Sequence, residues 1–180
     1  MSDRAGSAAP GPSAPTPSGL QIRRAILADA SAVADVYLAS FHATYDFPLA
    51  HTDDEVRGWI AATIEGGAPV GAAETFVATE DDRVVAMMVV EPRVLEQLYV
   101  APDRLGTGVG RRLLDTAKGR SPDGLVLYTF QVNARARRFY ERNGFALDWL
   151  GDGSANEERQ PDARYIWRPI AASNRRPRPR

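Results

Sequence analysis

The sequence predicts an α/β domain whose central sheet is mixed, mostly antiparallel and covered by helices on both faces. Three observations predict it. Residues 75–79 and 83–91 are strand-like runs flanking Asp81 and Asp82, the pattern of a hairpin. In the second half of the chain, apolar runs of strand length take turns with stretches of helical spacing. Between two ends poor in apolar residues lie about 150 residues, enough for one sizeable core.

Taken in order, residues 20–24 read as a first strand. Asp29 stands where an N-cap belongs, ahead of Val33, Val36, Tyr37 and Phe41 at helical spacing. Pro48 interrupts. Thr52 and Glu55 then form a capping box, and Asp53, Asp54 and Glu55 suit the positive end of a helix dipole. Val56, Trp59, Ile60 and Ile64 give this second helix a stripe to bury, and Gly66 and Gly67 end it. Beyond the hairpin, residues 94–100 form a further strand, stopped by Ala101 and Pro102. Residues 108–119 predict a helix with Val109, Leu113, Leu114 and Ala117 turned inward. Residues 125–130 are an apolar strand, and Asn133 caps another helix that Asn143 and Gly144 close. Residues 145–150 and 164–170 are the closing strands around a polar loop.

The ends read differently. Residues 1–19 are almost all Ala, Ser, Gly, Pro and Thr, too apolar-poor to offset their ordering entropy, and predict a disordered tail. The domain is expected over residues 20–171, with a flexible basic tail over 172–180 that carries Arg175, Arg176, Arg178 and Arg180. One lysine, Lys118, stands against twenty-one arginines, so the tail follows a bias of the whole chain rather than forming a selected patch. A net charge of −1 and a pI near 6.1 give no global field for nucleic acid or membrane, and neither is expected as a partner. The absence of cysteine excludes disulfides, thiolate metal sites and a Cys nucleophile; no metal is expected. The start lacks the basic-then-apolar pattern of a signal peptide, and the longest apolar run, residues 84–90, is far too short to span a bilayer. A cytoplasmic location is the expectation.

The most informative segment is LYVAPDRLGTGVGRRLL, residues 98–114. A strand runs out at Val100, and Gly106, Gly108 and Gly110 precede a helix. Alternating glycines admit positive φ and close approach of a ligand, and helix-start amides converge where the dipole favours negative charge. A phosphate or pyrophosphate suits such a place, with Arg111 and Arg112 adding charge at the rim. Alone, the pattern serves equally well as a bare strand-to-helix turn. A dinucleotide fingerprint needs G-x-G-x-x-G near the first strand and an acidic residue about 20 positions on; here the spacing is G-x-G-x-G after the fourth predicted strand. A P-loop needs Gly-Lys-Ser or Gly-Lys-Thr, which is missing.

Downstream, NARARRFYERNGF (residues 133–145) puts Ala136, Phe139, Tyr140 and Asn143 on one helical face. By itself Tyr140 reads as a core tyrosine as readily as a proton donor. Together, the strand LYVAP, the loop GTGVG followed by RRLL, and the N…A…FYERNGF block resemble the GNAT superfamily of acetyl-CoA-dependent N-acetyltransferases, over roughly residues 20–170. The resemblance implies a GNAT-like acyl-CoA N-acyltransferase fold, acetyl-CoA as co-substrate and an amine as acceptor, and it leaves a homodimer open. It implies that the backbone of Leu98, Tyr99 and Val100 pairs with the pantetheine arm. It implies that the loop of Leu105, Gly106, Thr107, Gly108, Val109, Gly110 and Arg111 grips the pyrophosphate, that Asn133 lies along the cofactor, and that Tyr140 sits by the thioester sulfur. One departure is plain: the family's loop usually opens with Gln or Arg where this chain has Leu105, although Arg104 is adjacent.

The resemblance also implies direct transfer in a ternary complex, with an oxyanion met by a backbone N–H near Val100 and Tyr140 protonating the leaving thiolate. An ordinary phenol and thiol differ by roughly 2 kcal/mol in the wrong direction for that proton transfer. Glu96, on the strand entering the site, is the candidate base; Tyr128, His42, His51 and a water relay are alternatives. Carboxylates of the loop 152–162 (Asp152, Glu157, Glu158, Asp162) would attract a cationic amine, or form a solvated loop partnered by Arg159 and Arg164. A small-molecule primary amine is the expected acceptor. A protein or peptide amine, and a non-catalytic acyl-CoA-binding module, are the alternatives.

Overall fold

A computed structural model describes residues 19–66 and 73–169 of the chain. The expected tails, apart from Gly19, lie outside the described residues, as do Gly67 and Ile170. The elements follow the order β1 (Gln21–Arg24), α1 (Ala30–Thr44), α2 (Asp53–Ile64), β2 (Glu74–Glu80), β3 (Arg83–Glu91), β4 (Val94–Val100), α3 (Val109–Arg120), β5 (Leu125–Phe130), α4 (Ala134–Arg142), β6 (Ala146–Leu150) and β7 (Asp162–Trp167). One sheet joins the strands in the order β1-β2-β3-β4-β5-β7-β6. Every neighbouring pair is antiparallel except β4 and β5, which are parallel and need the crossover that α3 supplies.

The long apolar run of β3 is explained by burial on both faces. Val85, Met88 and Val90 pack with Val109, Leu113, Leu114 and Tyr140 under α3 and α4. Val84, Met87 and Val89 pack with Val33, Tyr37, Val56 and Ile60 under α1 and α2. Asp81 and Asp82 both adopt positive φ (49° and 61°), the twist that a tight hairpin between β2 and β3 requires. The capping box of α2 forms as predicted, with the Thr52 hydroxyl accepting from the Glu55 amide at 3.3 Å and Glu55 accepting from the Thr52 amide at 2.8 Å.

Three sequence expectations shift. Asp29 does sit at the N-cap position, but its carboxylate does not cap α1. It accepts from the Arg23 guanidinium at 2.6 and 2.8 Å and from the Ile26 amide at 2.8 Å, tying the end of β1 to the start of α1. Trp59 is 37% exposed and covers Tyr37 edge-on rather than joining the core stripe. The last strand starts at Asp162, earlier than expected, because Gly151 and Asp162 exchange backbone hydrogen bonds that close the polar loop.

An irregularity in β4 redirects its side chains. Val89 pairs with Gln97 and Val90 with Leu95, so Glu96 is an extra residue, a β-bulge. Alternation along a regular strand would send Leu95, Gln97 and Tyr99 to one face. With the bulge, Leu95, Leu98 and Val100 all join the core beneath α3 and α4, and Tyr99 joins the core beneath α1 and α2.

Candidate active site

The parallel strands β4 and β5 are paired only at Val94–Val126 and Leu95–Leu127, and then part. Their C-terminal halves form two walls of a cleft of about 1190 Å³ that α1, the glycine loop, α4 and the β6–β7 loop complete. Ala101 donates its amide to Val85, so by alternation Tyr99 and Gln97 hydrogen-bond toward β3. Leu98 and Val100 therefore turn their backbone groups toward the cleft, where no strand among the described residues meets them. This unpaired edge is a template for an extended amide-bearing ligand.

The glycine loop closes one end. Gly106 and Gly108 take φ of 85° and 93°, and Gly108 caps α3 without a side chain. Among the described residues, the amides of Gly106, Gly108, Val109, Gly110 and Arg111 donate to no backbone carbonyl and no side chain. They are the orphan donors of a helix start, with the dipole behind them. A Cβ on Gly110 would stand 3.3 Å from Val100 Cγ2 and 3.7 Å from the Phe139 ring, so glycine here lets the loop seat against β4 and α4. Leu105, Gly106, Gly108, Gly110 and Arg111 line the cleft. Thr107 and Val109 do not: the Thr107 hydroxyl turns back to the Arg104 carbonyl at 2.7 Å, and the Val109 side chain is core. This donor set fits a pyrophosphate, and the free edge of β4 fits the amide-rich arm that coenzyme A carries.

The positive rim is only partly where the sequence suggested. Arg111 lines the cleft but Arg112 does not, and Arg104 is held by Glu80 and Asp103. Arg135, Arg138 and Arg142, on one face of α4, line it instead, and a Cβ on Gly106 would lie 4.0 Å from Arg135 Nη2. Their spacing of three and four residues was the available signal.

Asn133 serves two partners. Its carbonyl oxygen accepts from the Ala136 amide at 2.9 Å, capping α4, and its amide donates to the Tyr45 hydroxyl at 2.8 Å. Tyr140 is 7% exposed, packed among Phe139, Phe145 and Tyr165, and lines the cleft. Its hydroxyl has no hydrogen-bond partner among the described residues. Burial pushes this phenol well above its usual range, so it stays protonated. Tyr165, fully buried, donates to Glu141 at 2.8 Å and accepts from Arg137 at 3.2 Å, fixing α4 against β7.

The model of the acetyltransferase (GNAT) domain family matches residues 71–147. The peptidyl-lysine N-acetyltransferase YjaB of Escherichia coli is 28% identical over 128 residues, covering 71% of this chain and 83% of that protein. The probable N-acetyltransferase Rv2775 of Mycobacterium tuberculosis is 24% identical over 170 residues, covering 88% and 90%. Among solved structures, apo YjaB superposes with a TM-score of 0.67 at 23% identity, covering 83% of this chain and 97% of that one. The PaiA N-acetyltransferase of Thermoplasma acidophilum, solved with coenzyme A, does so with a TM-score of 0.63 at 18% identity, covering 83% and 99%. The chain has the acetyltransferase fold of the GNAT superfamily.

Within this fold the candidate bases separate by position. Glu96 and Tyr128 line the cleft. Burial first, and the like charge of Glu91 second, raise the Glu96 carboxyl above its ordinary range. Neither histidine lines the cleft: His42 stands 3.6 Å from Asp53 and His51 2.8 Å from Glu157, both on the surface. The aromatic wall formed by Tyr37, Phe41, Tyr45 and Phe130 was not singled out in the sequence, because its members come from α1, the residue just after it and β5, and meet only in the fold. Among the described residues no group of His, Cys, Asp or Glu could hold a metal ion, and no helix is long and apolar enough to cross a membrane.

Proposed function

We propose that this protein transfers the acetyl group of acetyl-CoA to a primary amine, of a small molecule, by direct attack in a ternary complex. One observation carries the reading: the free amides opening α3 and the unpartnered phenol of Tyr140 face the same cleft, along an unpaired edge of β4. The amides of Gly106, Gly108, Val109, Gly110 and Arg111 bind a diphosphate, with Arg135 beside them. The backbone of Leu98 and Val100 holds the pantetheine arm and leaves the thioester near Tyr140.

The amine nitrogen then forms a bond to the thioester carbon while the carbon–sulfur bond breaks. The proton leaving nitrogen passes to Glu96, directly or through water, and the Tyr140 proton goes to the departing sulfur. A raised Glu96 is a better base near neutral pH than an ordinary glutamate. The raised phenol widens the unfavourable gap to a free thiol. The sulfur departs into the same dry pocket, which lifts its basicity in parallel, so the transfer is coupled to cleavage.

A second reading has its own support: two relatives, YjaB and YiaC of Escherichia coli, are peptidyl-lysine N-acetyltransferases, the latter 32% identical over 76 residues. A lysyl side chain is also a primary alkylamine. An amine and lysyl-peptide panel with acetyl-CoA, read as released thiol with a chromogenic disulfide, tests both; the chain has no cysteine to give background. Turnover of free amines supports the first reading, and turnover of peptides alone the second. Binding of acetyl-CoA with no turnover of either would leave a non-catalytic module.

A further inference from the structure

At the α1 end of the cleft, Phe41 from α1 and Tyr45, the residue just after that helix, meet Phe130 from β5. The Tyr45 ring lies 4.7 Å from Phe41 and 5.3 Å, edge-on, from Phe130. Glu158 of the β6–β7 loop lines the same space, half-buried. Among the described residues its carboxylate makes no ion pair and accepts no hydrogen bond, although its charge helps to raise the Tyr37 and Tyr45 phenols. Asp162, at the start of β7, lines the cleft as well, and its carboxylate likewise makes no ion pair and accepts no hydrogen bond among the described residues; the other charged groups around this loop are taken. Glu157 is bonded to His51, Asp152 accepts from the Ser154 amide at 2.9 Å, Arg159 donates to the Ser154 carbonyl, and Arg164 pairs with Asp148 on β6. The His51–Glu157 contact, spanning 106 residues of sequence, ties the loop to the segment between α1 and α2. The unpartnered, nine-tenths-buried Tyr140 phenol opens onto this same cleft.

A half-buried carboxylate framed by aromatic rings is a receptor for a cation. A nitrogen held there is favoured in its protonated form, because an opposite charge nearby raises an amine's pKa. Such a nitrogen cannot attack a thioester. Resting on the acetyl-transfer reading, we propose that the acceptor is a small alkylamine carrying a second positive charge, a diamine or polyamine in chemical class, and that Glu158 with Tyr45 and Phe130 binds the charge that does not react.

The test compares α,ω-diaminoalkanes of three to five carbons with the monoamines of equal length, titrated calorimetrically into the chain with and without coenzyme A. Diamines should bind on the order of 10- to 100-fold more tightly. That preference should fall as ionic strength rises, a readout that needs no variant. In Glu158→Gln the ratio of diamine to monoamine affinity should drop to near one. Equal affinities in the wild type, a ratio unchanged in Glu158→Gln, or Glu158-dependent binding of lysyl peptides but not diamines would each overturn the proposal. The two readings fail separately. Diamine binding that depends on Glu158, without any thiol release, sinks the acetyl-transfer reading alone; thiol release with no diamine preference sinks this one alone.

Discussion

Replacing Tyr140 by phenylalanine separates chemistry from packing. The ring sits in contact with Phe139, Phe145 and Tyr165, at centroid distances of 5.3, 5.7 and 6.3 Å, and phenylalanine keeps all three. Only the hydroxyl is lost, and it has no partner among the described residues. A partnered buried hydroxyl contributes about 1 kcal/mol, whereas an unpartnered one is desolvated for nothing in return. Tyr140→Phe is therefore expected to stay within about 1 kcal/mol of wild type and on the more stable side, a rise in Tm of up to about 2–4 °C for a domain of this size. On the proposed mechanism the same change removes the general acid, and turnover should fall by about 10²- to 10⁴-fold, with coenzyme A affinity scarcely moved. Thiol release at saturating amine, scanning calorimetry and a coenzyme A titration give the three readings. Wild-type turnover would remove Tyr140 from the mechanism. A loss of stability beyond about 1.5 kcal/mol would show that the hydroxyl has a partner, and the account of its raised pKa would go with it.

Three further outcomes rest on the same geometry. Gly108→Ala meets no atom within 4 Å but must hold φ of 93°, so a purely backbone cost of about 1–2 kcal/mol is expected, together with weaker coenzyme A binding in calorimetry. Arg135→Ala should weaken coenzyme A binding by about 3- to 10-fold at low salt, and the difference from wild type should shrink as salt is added. For Glu96 the sign is fixed by its raised pKa: the ionised, base-competent form is lost as pH falls through that raised value, so the acid limb of the rate profile lies above the ordinary glutamate range. Glu91→Gln should move that limb to lower pH, and Glu96→Gln should abolish it; an unmoved limb in both excludes Glu96 as the base.

Most of the secondary structure was legible because its signals are local. The Thr52–Glu55 box, the Asp81–Asp82 turn and the Asn133 cap each act within four residues, and each appears where the sequence places it. What stayed hidden depends on which strands become neighbours. The insertion of β7 between β5 and β6 leaves no mark in the local pattern, and with it goes the contact of Tyr165 with Glu141 and Arg137 that seats α4. Asp29 has the composition and position of a cap but finds the Arg23 guanidinium, a stronger partner for a carboxylate than an orphan amide. The loop carboxylates could not be sorted from sequence either. Only the fold engages Glu157 with His51, turns Arg159 and Arg164 to other acceptors, and leaves Glu158 over the aromatic wall.

The bulge at Glu96 joins the fold to the site. Without it, Gln97 and Tyr99 would follow Leu95 into the core beneath α3 and α4, stranding a polar amide among apolar side chains, while Leu98 and Val100 would leave that core. With it, Leu98 and Val100 anchor their side chains under α3 and α4 while their backbone groups look toward β5. A bulge also sharpens a strand's local twist, and β4 stops pairing with β5 one residue before it. A single extra residue thus places Glu96 in the cleft wall and ends the ladder there. The sequence marks the place only by the polar pair Glu96 and Gln97, which separates Leu95 from Leu98 in an otherwise apolar strand.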